Sequence, residues 1–494
     1  MVLSTRTNRP PGDDASASRR RPLVIVAGAG AAGMAAAIAA ARAGASVCLA
    51  ERSAGIGGTV TGALIHTLGG LFDARGELAN AGLPAELIER LSAADPRVRV
   101  RAIGRNRVLD VAPPVYRRVT EEWLAETPRL HVLRGTRIAR VSKFRRSIFR
   151  VEGSGPAGSF PLFPDALVDA TGTAELTRLV DPGLVEDGSR RAAGGLIFTL
   201  RNVAPDALRF PKGVGVLREV RQAVARGELP SDCAHVWLDQ GTREDEVYVK
   251  LFVPLGDGWR SPAVRRETLA TAHRSRIAVF ERLRRLPDFS KAEIERTGDL
   301  GVRSGGSIRG EYRLTEEDVR QGCRFPDAAC RCDWPIEYWH PRTGIQLEYL
   351  PDDIGYDIPL RSLKVAGVDN LWAAGKCLSA EARAQASARC VGTCWSMGEA
   401  AGIAAARLAI RRRDDHAAYG THFARHDPAR QVNVAVSERS SSEVPLSPFG
   451  GEGPPLGRCP GEGAALQPGR IAGSTSPNEG SNRRAVADPT GTDF

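Results

Sequence analysis

The chain has 494 residues and a formal charge of +10, with 42% hydrophobic and 26% charged residues. That is the balance of an ordinary soluble protein with room for two or three domains and a sizeable core. The basic side chains, six lysines against 62 arginines, are scattered. They read as coding bias and a solvated surface rather than a nucleic-acid face, which needs clustering and motif support; a basic field still attracts an acidic substrate. The nine cysteines, an odd number in a large chain, do not suggest a disulfide framework, and their spacing gives no paired zinc-like Cys-x-x-Cys. They read as small buried apolar residues, and no metal site is predicted.

Residues 1–20 are polar, basic and rich in Pro and Ser, and are predicted to form a disordered arm. The arginines at 19–21 ahead of an apolar stretch resemble a twin-arginine export signal, but that stretch is the first strand and helix of a nucleotide fold. Residues 22–41 are too rich in glycine for a membrane span. A cytoplasmic location without a membrane span follows.

Residues 23–51 read as strand, glycine turn, alanine-rich helix and strand, and 55–75 as a glycine-punctuated loop. Residues 87–94 form a short helical pattern. In 114–126, Val115, Val119, Trp123 and Leu124 share one helical face. Strand patterns follow at 130–133, 138–141 and 147–151, then at 166–170, which runs into Thr171 and Gly172. From about 185 to 350 the character changes: 195–201 and 246–254 read as strands, 218–226 and 263–286 as helices. At Leu371 a strand, a glycine turn and an Ala/Gly helix (392–410) return to the first style. Residues 430–494 are rich in Ser, Pro and Gly without apolar periodicity and are predicted to be disordered. There is no internal repeat.

Two segments fit G-x-G-x-x-G. Gly153, Gly155 and Gly158 enclose Pro156 and precede no helix, so they read as a hairpin connection. Gly28, Gly30 and Gly33 have the required context: an apolar strand before, a helix after, and a second strand ending in Glu51. Gly28 permits the turn, Gly30 admits a diphosphate, and Gly33 lets helix and strand pack closely. Ala31 and Ala32 open the helix, whose N-terminal N–H groups attract phosphate. Glu51 accepts from ribose hydroxyls and repels a 2′-phosphate, which excludes NADP from this site.

Further segments carry a resemblance. Glu51 and Arg52 lead to Gly57, Gly58, Thr59 and Thr61; Ala166 to Asp169 lead to Ala170, Thr171 and Gly172; Gly310, Tyr312, Leu314 and Asp318 follow. Tyr356 to Leu363, Asn370 to Ala380 with Gly375, Lys376 and Cys377, and Gly392 to Gly402 complete the set. In this order, from about 22 to 412, the chain resembles a bacterial FAD-dependent oxidoreductase family of the two-dinucleotide-binding-domain flavoprotein superfamily. The resemblance implies an α/β fold. A discontinuous Rossmann-like FAD-binding domain (21–75, 111–184 and 361–415) would carry an inserted α+β substrate domain (76–110 and 185–360). It implies FAD held by Gly28, Gly30, Ala31, Ala32, Gly33, Glu51, Arg52, Gly57, Gly58, Thr59, Ile138, Ala170, Thr171, Gly172, Gly375, Gly392 and Thr393. If the last helix points its N-terminus at the flavin pyrimidine edge, free N–H groups near Gly392 and Thr393 stabilise charge there by roughly 0.3–2 kcal/mol.

For acid–base chemistry His340 is the first candidate, since imidazole titrates near ~6.5. Tyr338 and Tyr356 are candidates to hydrogen-bond a substrate, and His66 to lie near the flavin ring. Two departures remove family substrate contacts: Ser and Gly separate Arg303 from Arg309, and tryptophan replaces the family histidine near His340. The reading is hydride transfer between flavin N5 and a small organic metabolite, with electron acceptor and oligomeric state open. The alternatives are a flavin monooxygenase, disfavoured by Gly375 and Lys376 where those enzymes carry Gly-Asp, and a flavin-binding protein without turnover. No second dinucleotide loop serves NAD(P)H, so slow reduction by it is expected.

Overall fold

The computed structural model describes residues 21–187, 193–256, 258–303, 305–340, 343–350 and 355–419. The arm at 1–20 and the tail at 430–494 lie outside the described residues.

Strands Leu23–Ala27, Ser46–Glu51, Leu130–Arg134, Ala166–Asp169 and Leu371–Ala373 form one parallel sheet. From edge to edge the order is Leu371–Ala373, Ala166–Asp169, Leu23–Ala27, Ser46–Glu51, Leu130–Arg134. Val24, Ile25, Val26, Leu167 and Val168 are fully buried, as a sheet covered on both faces demands. The first strand thus sits centrally, and its carboxyl end opens between neighbours on either side. Ligands of open α/β sheets bind outside that edge.

Helix Ala31–Arg42 covers the sheet, and its residues 32–41 are all buried. Its alanines serve a second contact. The long helix Val391–Tyr419 lies against it. A β-carbon at Gly398 would stand 2.1 Å from Ala32 O and one at Gly402 2.3 Å from Ala36 O. The two backbones therefore touch along small residues one turn apart. Helix Pro113–Glu126 begins one residue ahead of the sequence expectation, within the usual uncertainty of helix ends, and helix Leu83–Ala94 begins four residues ahead.

The second glycine-rich match is a hairpin: strands Ser147–Gly155 and Gly158–Leu162 pair antiparallel, with Gly155 opposite Gly158. Pro156 occupies the turn, so no helix N-terminus exists there to meet a phosphate.

Residues 193–302 build an antiparallel sheet, in which strand Ala193–Arg201 pairs with Val247–Pro254 and with Glu293–Thr297. One face carries Leu196, Phe198 and Leu200 into a core with Val279, Leu283 and Phe289. Helices Lys212–Ala225 and Pro262–Leu283 cover it. The first of these starts six residues before the expected 218, because Gly213 and Gly215 mask the helical pattern. The opposite face presents Ile197 and Tyr248 to Leu64 of the glycine-punctuated loop. Loop and second sheet are thereby joined.

No described helix is long and apolar enough to cross a membrane. No cluster of three His, Cys, Asp or Glu suited to a metal occurs among the described residues. Cys48, Cys233, Cys330, Cys332, Cys377 and Cys394 are buried, and burial pushes the Cys233 thiol up to about 11 and that of Cys48 to about 12.

Candidate active site

The carboxyl edge of the parallel sheet is built from backbone. A β-carbon at Gly28 would lie 2.5 Å from Ala170 O, and one at Gly33 would lie 1.8 Å from Gly28 O. Protein packing alone explains both glycines. Gly30 is different. Its φ is −81°, open to any residue, and a β-carbon there would meet nothing nearer than Gly58 Cα at 3.8 Å. The protein leaves space at Gly30 that it does not fill, and this is the opening a diphosphate requires.

The surrounding donors suit such a group. No side chain caps helix Ala31–Arg42 at its N-terminus, so the first-turn N–H groups of Ala31, Ala32 and Gly33 face that opening. Gly57, Gly58 and Thr59 pass above it: Gly57 N–H donates to Ala29 O at 2.8 Å. Arg52, Gly58 and Thr59 are exposed. Glu51 closes its strand with Oε2 accepting from Ala29 N–H at 2.7 Å and Oε1 from Ser53 N–H at 2.8 Å. Each oxygen keeps a lone pair for a hydroxyl.

Ala170, Thr171 and Gly172 follow the neighbouring strand. Their course is set by Asp169, which is fully buried. Its Oδ1 accepts from the N–H and hydroxyl of Thr171 at 3.1 and 2.7 Å, and its Oδ2 accepts from those of Thr177, both at 2.8 Å. Gly375 comes in from the third strand, where a β-carbon would lie 2.9 Å from that of Ala32. Ile138 sits in strand Arg137–Phe144 and packs its side chain against the core beneath the sheet.

Two expectations are corrected. Gly392 is not a free donor: its N–H donates to Gly69 O at 2.9 Å. A β-carbon there would meet Gly70 C at 2.5 Å, so close chain packing explains this glycine. Thr393 remains beside it, fully buried, its hydroxyl donating to Cys332 Sγ at 3.6 Å. His66, expected near the flavin ring, is packed against the second sheet. It is fully buried and stacked on Tyr248 at 3.7 Å, with Nε2 3.2 Å from Gln240 O and 3.6 Å from Asp239 Oδ2. Burial, aided by Lys250, holds its pKa well below the ordinary 6.5.

Tyr356 is likewise fully buried, its hydroxyl donating to Ser387 Oγ at 2.8 Å. Tyr338 and His340 share strand Ile336–His340. Tyr338 lines a cavity; the side chain of His340, with Arg342 beyond it, lies outside the described residues.

That cavity has a volume of about 250 Å³. Helix Ala382–Ala388 supplies one wall through Ala382, Gln385 and Ala386, with Arg389 just past its end; their spacing places all four on one helical face. Glu337, Tyr338 and Trp339 supply another wall. The cavity is tied to the glycine crossover through Lys376, which follows Gly375. Gln385 Nε2 donates to Lys376 O at 2.6 Å, and Lys376 Nζ donates to Val302 O.

Glu337 organises the cluster. Its Oε1 accepts from Trp339 Nε1 at 2.8 Å and lies 3.4 Å from Arg303 Nη1; its Oε2 accepts from Trp334 Nε1 at 3.3 Å. The Arg303 guanidinium stacks 3.8 Å over the Trp339 ring. Burial works to raise the Glu337 carboxyl pKa, but Arg303 and Arg389 outweigh it and hold it below its ordinary value. Burial lowers Arg303 to about 10 and Lys376 to about 8. Sequence reasoning did not single out Gln385 and Arg389, which line this cavity. The available signal was an arginine at the end of the small, buried run Ala384–Ala388.

A parallel sheet with a glycine crossover at its carboxyl edge defines a dinucleotide-binding α/β protein. The family model described as FAD dependent oxidoreductase matches residues 24–417. The chain belongs to that family, its cofactor is FAD, and it is an enzyme. Among solved structures it is similar to a geranylgeranyl bacteriochlorophyll reductase-like protein from Thermoplasma acidophilum, at 10% identity over 80% of each chain and a TM-score of 0.41. It is also similar to a flavoprotein/dehydrogenase from Cytophaga hutchinsonii, at 11% identity over 79% of each chain and a TM-score of 0.40. A p-nitrophenol 4-monooxygenase from Pseudomonas putida matches at 14% identity over 59% of this chain and 71% of its own, with a TM-score of 0.34. None of the curated proteins matches this sequence.

Proposed function

We propose that the enzyme transfers a hydride between FAD and a small organic metabolite held in the cavity beside Arg389. The observation that supports this is a chain of contacts: Gly375 packs against Ala32 of the helix that Gly30 opens, and Lys376, which follows Gly375, accepts a hydrogen bond from Gln385 in the cavity wall. FAD supplies the two-electron chemistry, giving or taking a hydride at N5. Gly28 to Gly33, Glu51, Gly57 to Thr59, Thr171, Gly172 and Gly375 are the residues proposed to hold it. Segments 21–75, 111–184 and 361–415 would form the FAD-binding domain, with 76–110 and 185–360 as the substrate domain.

The cavity is smaller than the roughly 300–1,000 Å³ of sites for drug-sized ligands, which favours a compact substrate. Tyr338 is proposed to orient it by hydrogen bonding. Tyr356, shut away behind Ser387, acts on the site only through that hydrogen bond, as a positioning residue.

The test is anaerobic. A panel of small metabolites is mixed with the holoenzyme and the oxidised-flavin absorption band is followed. Bleaching by one of them at a catalytically useful rate is expected. Retention of the full band with every metabolite, with product formed only when NAD(P)H and oxygen are both supplied, would replace this reading with a monooxygenase.

A further inference from the structure

The charges lining the cavity are unevenly satisfied. Glu186 is 3.1 Å from Arg313, and Asp187 lies 2.9 Å from Arg260. Glu337 has Arg303 and two indole N–H donors. Arg389 is the exception. Its Nη1 and Nη2 donate at 2.6 and 2.9 Å to carbonyl oxygens, Arg303 O and Glu337 O, and among the described residues no carboxylate lies within ion-pair distance of it. Both of those bonds go to neutral acceptors, and a guanidinium carries five N–H donors. The others are free for the cavity.

The fold also holds this guanidinium in place. Two carbonyls grip it from opposite strands of sequence, and the small side chains of Ala382 and Ala386 leave the cavity open beside it. Arg303 and Lys376 add positive charge around it, while the lining carboxylates Glu186, Asp187 and Glu337 are paired with other arginines, Arg313, Arg260 and Arg303. A fixed, partly desolvated cation without a counter-charge is a built anion site. Apart from the charged groups, Gly305, Ser307 and Gln385, the lining is apolar or aromatic: Ala193, Ala380, Ala382, Ala386, Tyr338 and Trp339. Phosphate would leave those surfaces uncovered, whereas an organic anion with a compact carbon skeleton covers them.

We infer that the substrate of this enzyme is a small organic carboxylate whose carboxylate group pairs with Arg389. The inference rests on the hydride-transfer reading for the word substrate, but its binding claim stands separately.

The experiment is calorimetric titration of the FAD-loaded enzyme. The probes are a panel of aliphatic and aromatic carboxylates that includes succinate and benzoate, each beside its neutral amide. At least one carboxylate is expected to bind, with its amide weaker by about tenfold or more. Arg389→Gln is expected to lower that affinity by about tenfold or more, and Arg389→Lys by less. Because Arg389 also braces two carbonyls, Ala386→Leu is the second variant: it narrows the cavity, leaves the guanidinium untouched, and is expected to abolish binding. Equal affinity for acid and amide, carboxylate binding unchanged in Arg389→Gln and Ala386→Leu, or no binding by any carboxylate overturns the inference. The two readings part cleanly. Arg389-dependent binding of carboxylates that never bleach the flavin removes hydride transfer and keeps the anion site. Bleaching by a neutral metabolite, undiminished in Arg389→Gln, does the reverse.

Discussion

Gly58 lies over Gly30 so closely that a β-carbon on Gly58 would stand 2.8 Å from Gly30 Cα, whereas a β-carbon on Gly30 meets nothing nearer than 3.8 Å. The asymmetry separates folding from binding. Gly58 also has φ +56°, a region costly for side-chain-bearing residues, so Gly58→Ala is expected to cost about 1–2 kcal/mol of stability. Gly30→Ala is expected to fold with an almost unchanged Tm. Its methyl group occupies the space at the helix N-terminus, so FAD affinity is expected to fall by about tenfold or more. Flavin retention on purification and a thermal melt of both apoproteins check the pair.

Asp169 gives a second prediction. All four of its hydrogen bonds come from donors, two on each oxygen. Asparagine there has the same shape but turns an NH₂ group toward two donors. Asp169→Asn is therefore expected to cost about 2 kcal/mol or more and to loosen Thr171 and Gly172, with Tm and flavin affinity falling together. A melt indistinguishable from wild type would show that the carboxylate does not hold the strand end.

The glycine crossover was legible in the sequence because its parts are local. The spacing of Gly28, Gly30 and Gly33, the alanine helix and the acid at Glu51 fall within one strand–helix–strand unit, where periodicity and turn chemistry act together. The cavity was not legible in that way. Arg303 and Glu337 are 34 positions apart, and Arg389 reaches Arg303 O across 86; nothing in either segment announces the other. His66 misled for the same reason. A histidine in the loop after Gly57 and Gly58 reads as a neighbour of the flavin ring, and only the partner sheet, 174 positions away at Gln240, buries it. The last helix was placed by its Ala/Gly character, which faded at Ile410, although the helix runs to Tyr419.

His66 makes acid stability predictable. Buried among Tyr248, Asp239, Lys250 and Arg101, it stays neutral well below 6.5, while in the unfolded chain it takes up a proton near its ordinary value. Below pH 6.5 the unfolded state therefore binds the extra proton, and stability falls as pH falls, by at most about 1.4 kcal/mol per pH unit from this group. His66→Gln is expected to flatten the dependence between about pH 5 and 6.5. Denaturant midpoints measured across that range decide it; parallel curves for the two proteins would assign the acid sensitivity elsewhere.

Lys376 acts on the alkaline side. Burial, with help from Arg389 and Arg52, brings its amine from the ordinary 10.5 down to about 8. Above pH 8 the folded protein has released this proton while the unfolded chain still holds it, so stability contributed by the group rises with pH until about 10.5 and is absent below 8. The same titration changes the cavity, because it removes a positive charge that acts on Arg389. Carboxylate affinity is therefore expected to fall as pH rises through 8, over the window in which the fold itself gains. Lys376→Met keeps much of the side-chain volume without a charge. It is expected to show neither trend: a flat stability curve from pH 8 to 10.5 relative to wild type, and a carboxylate affinity that no longer responds to pH across that window. Stability and binding moving in opposite directions with one apparent pKa in the wild type, and both responses disappearing in the variant, would assign them to this single amine. A wild-type affinity constant from pH 7 to 9, checked by the same calorimetric titration, would show that Lys376 does not contribute to the field at the cavity.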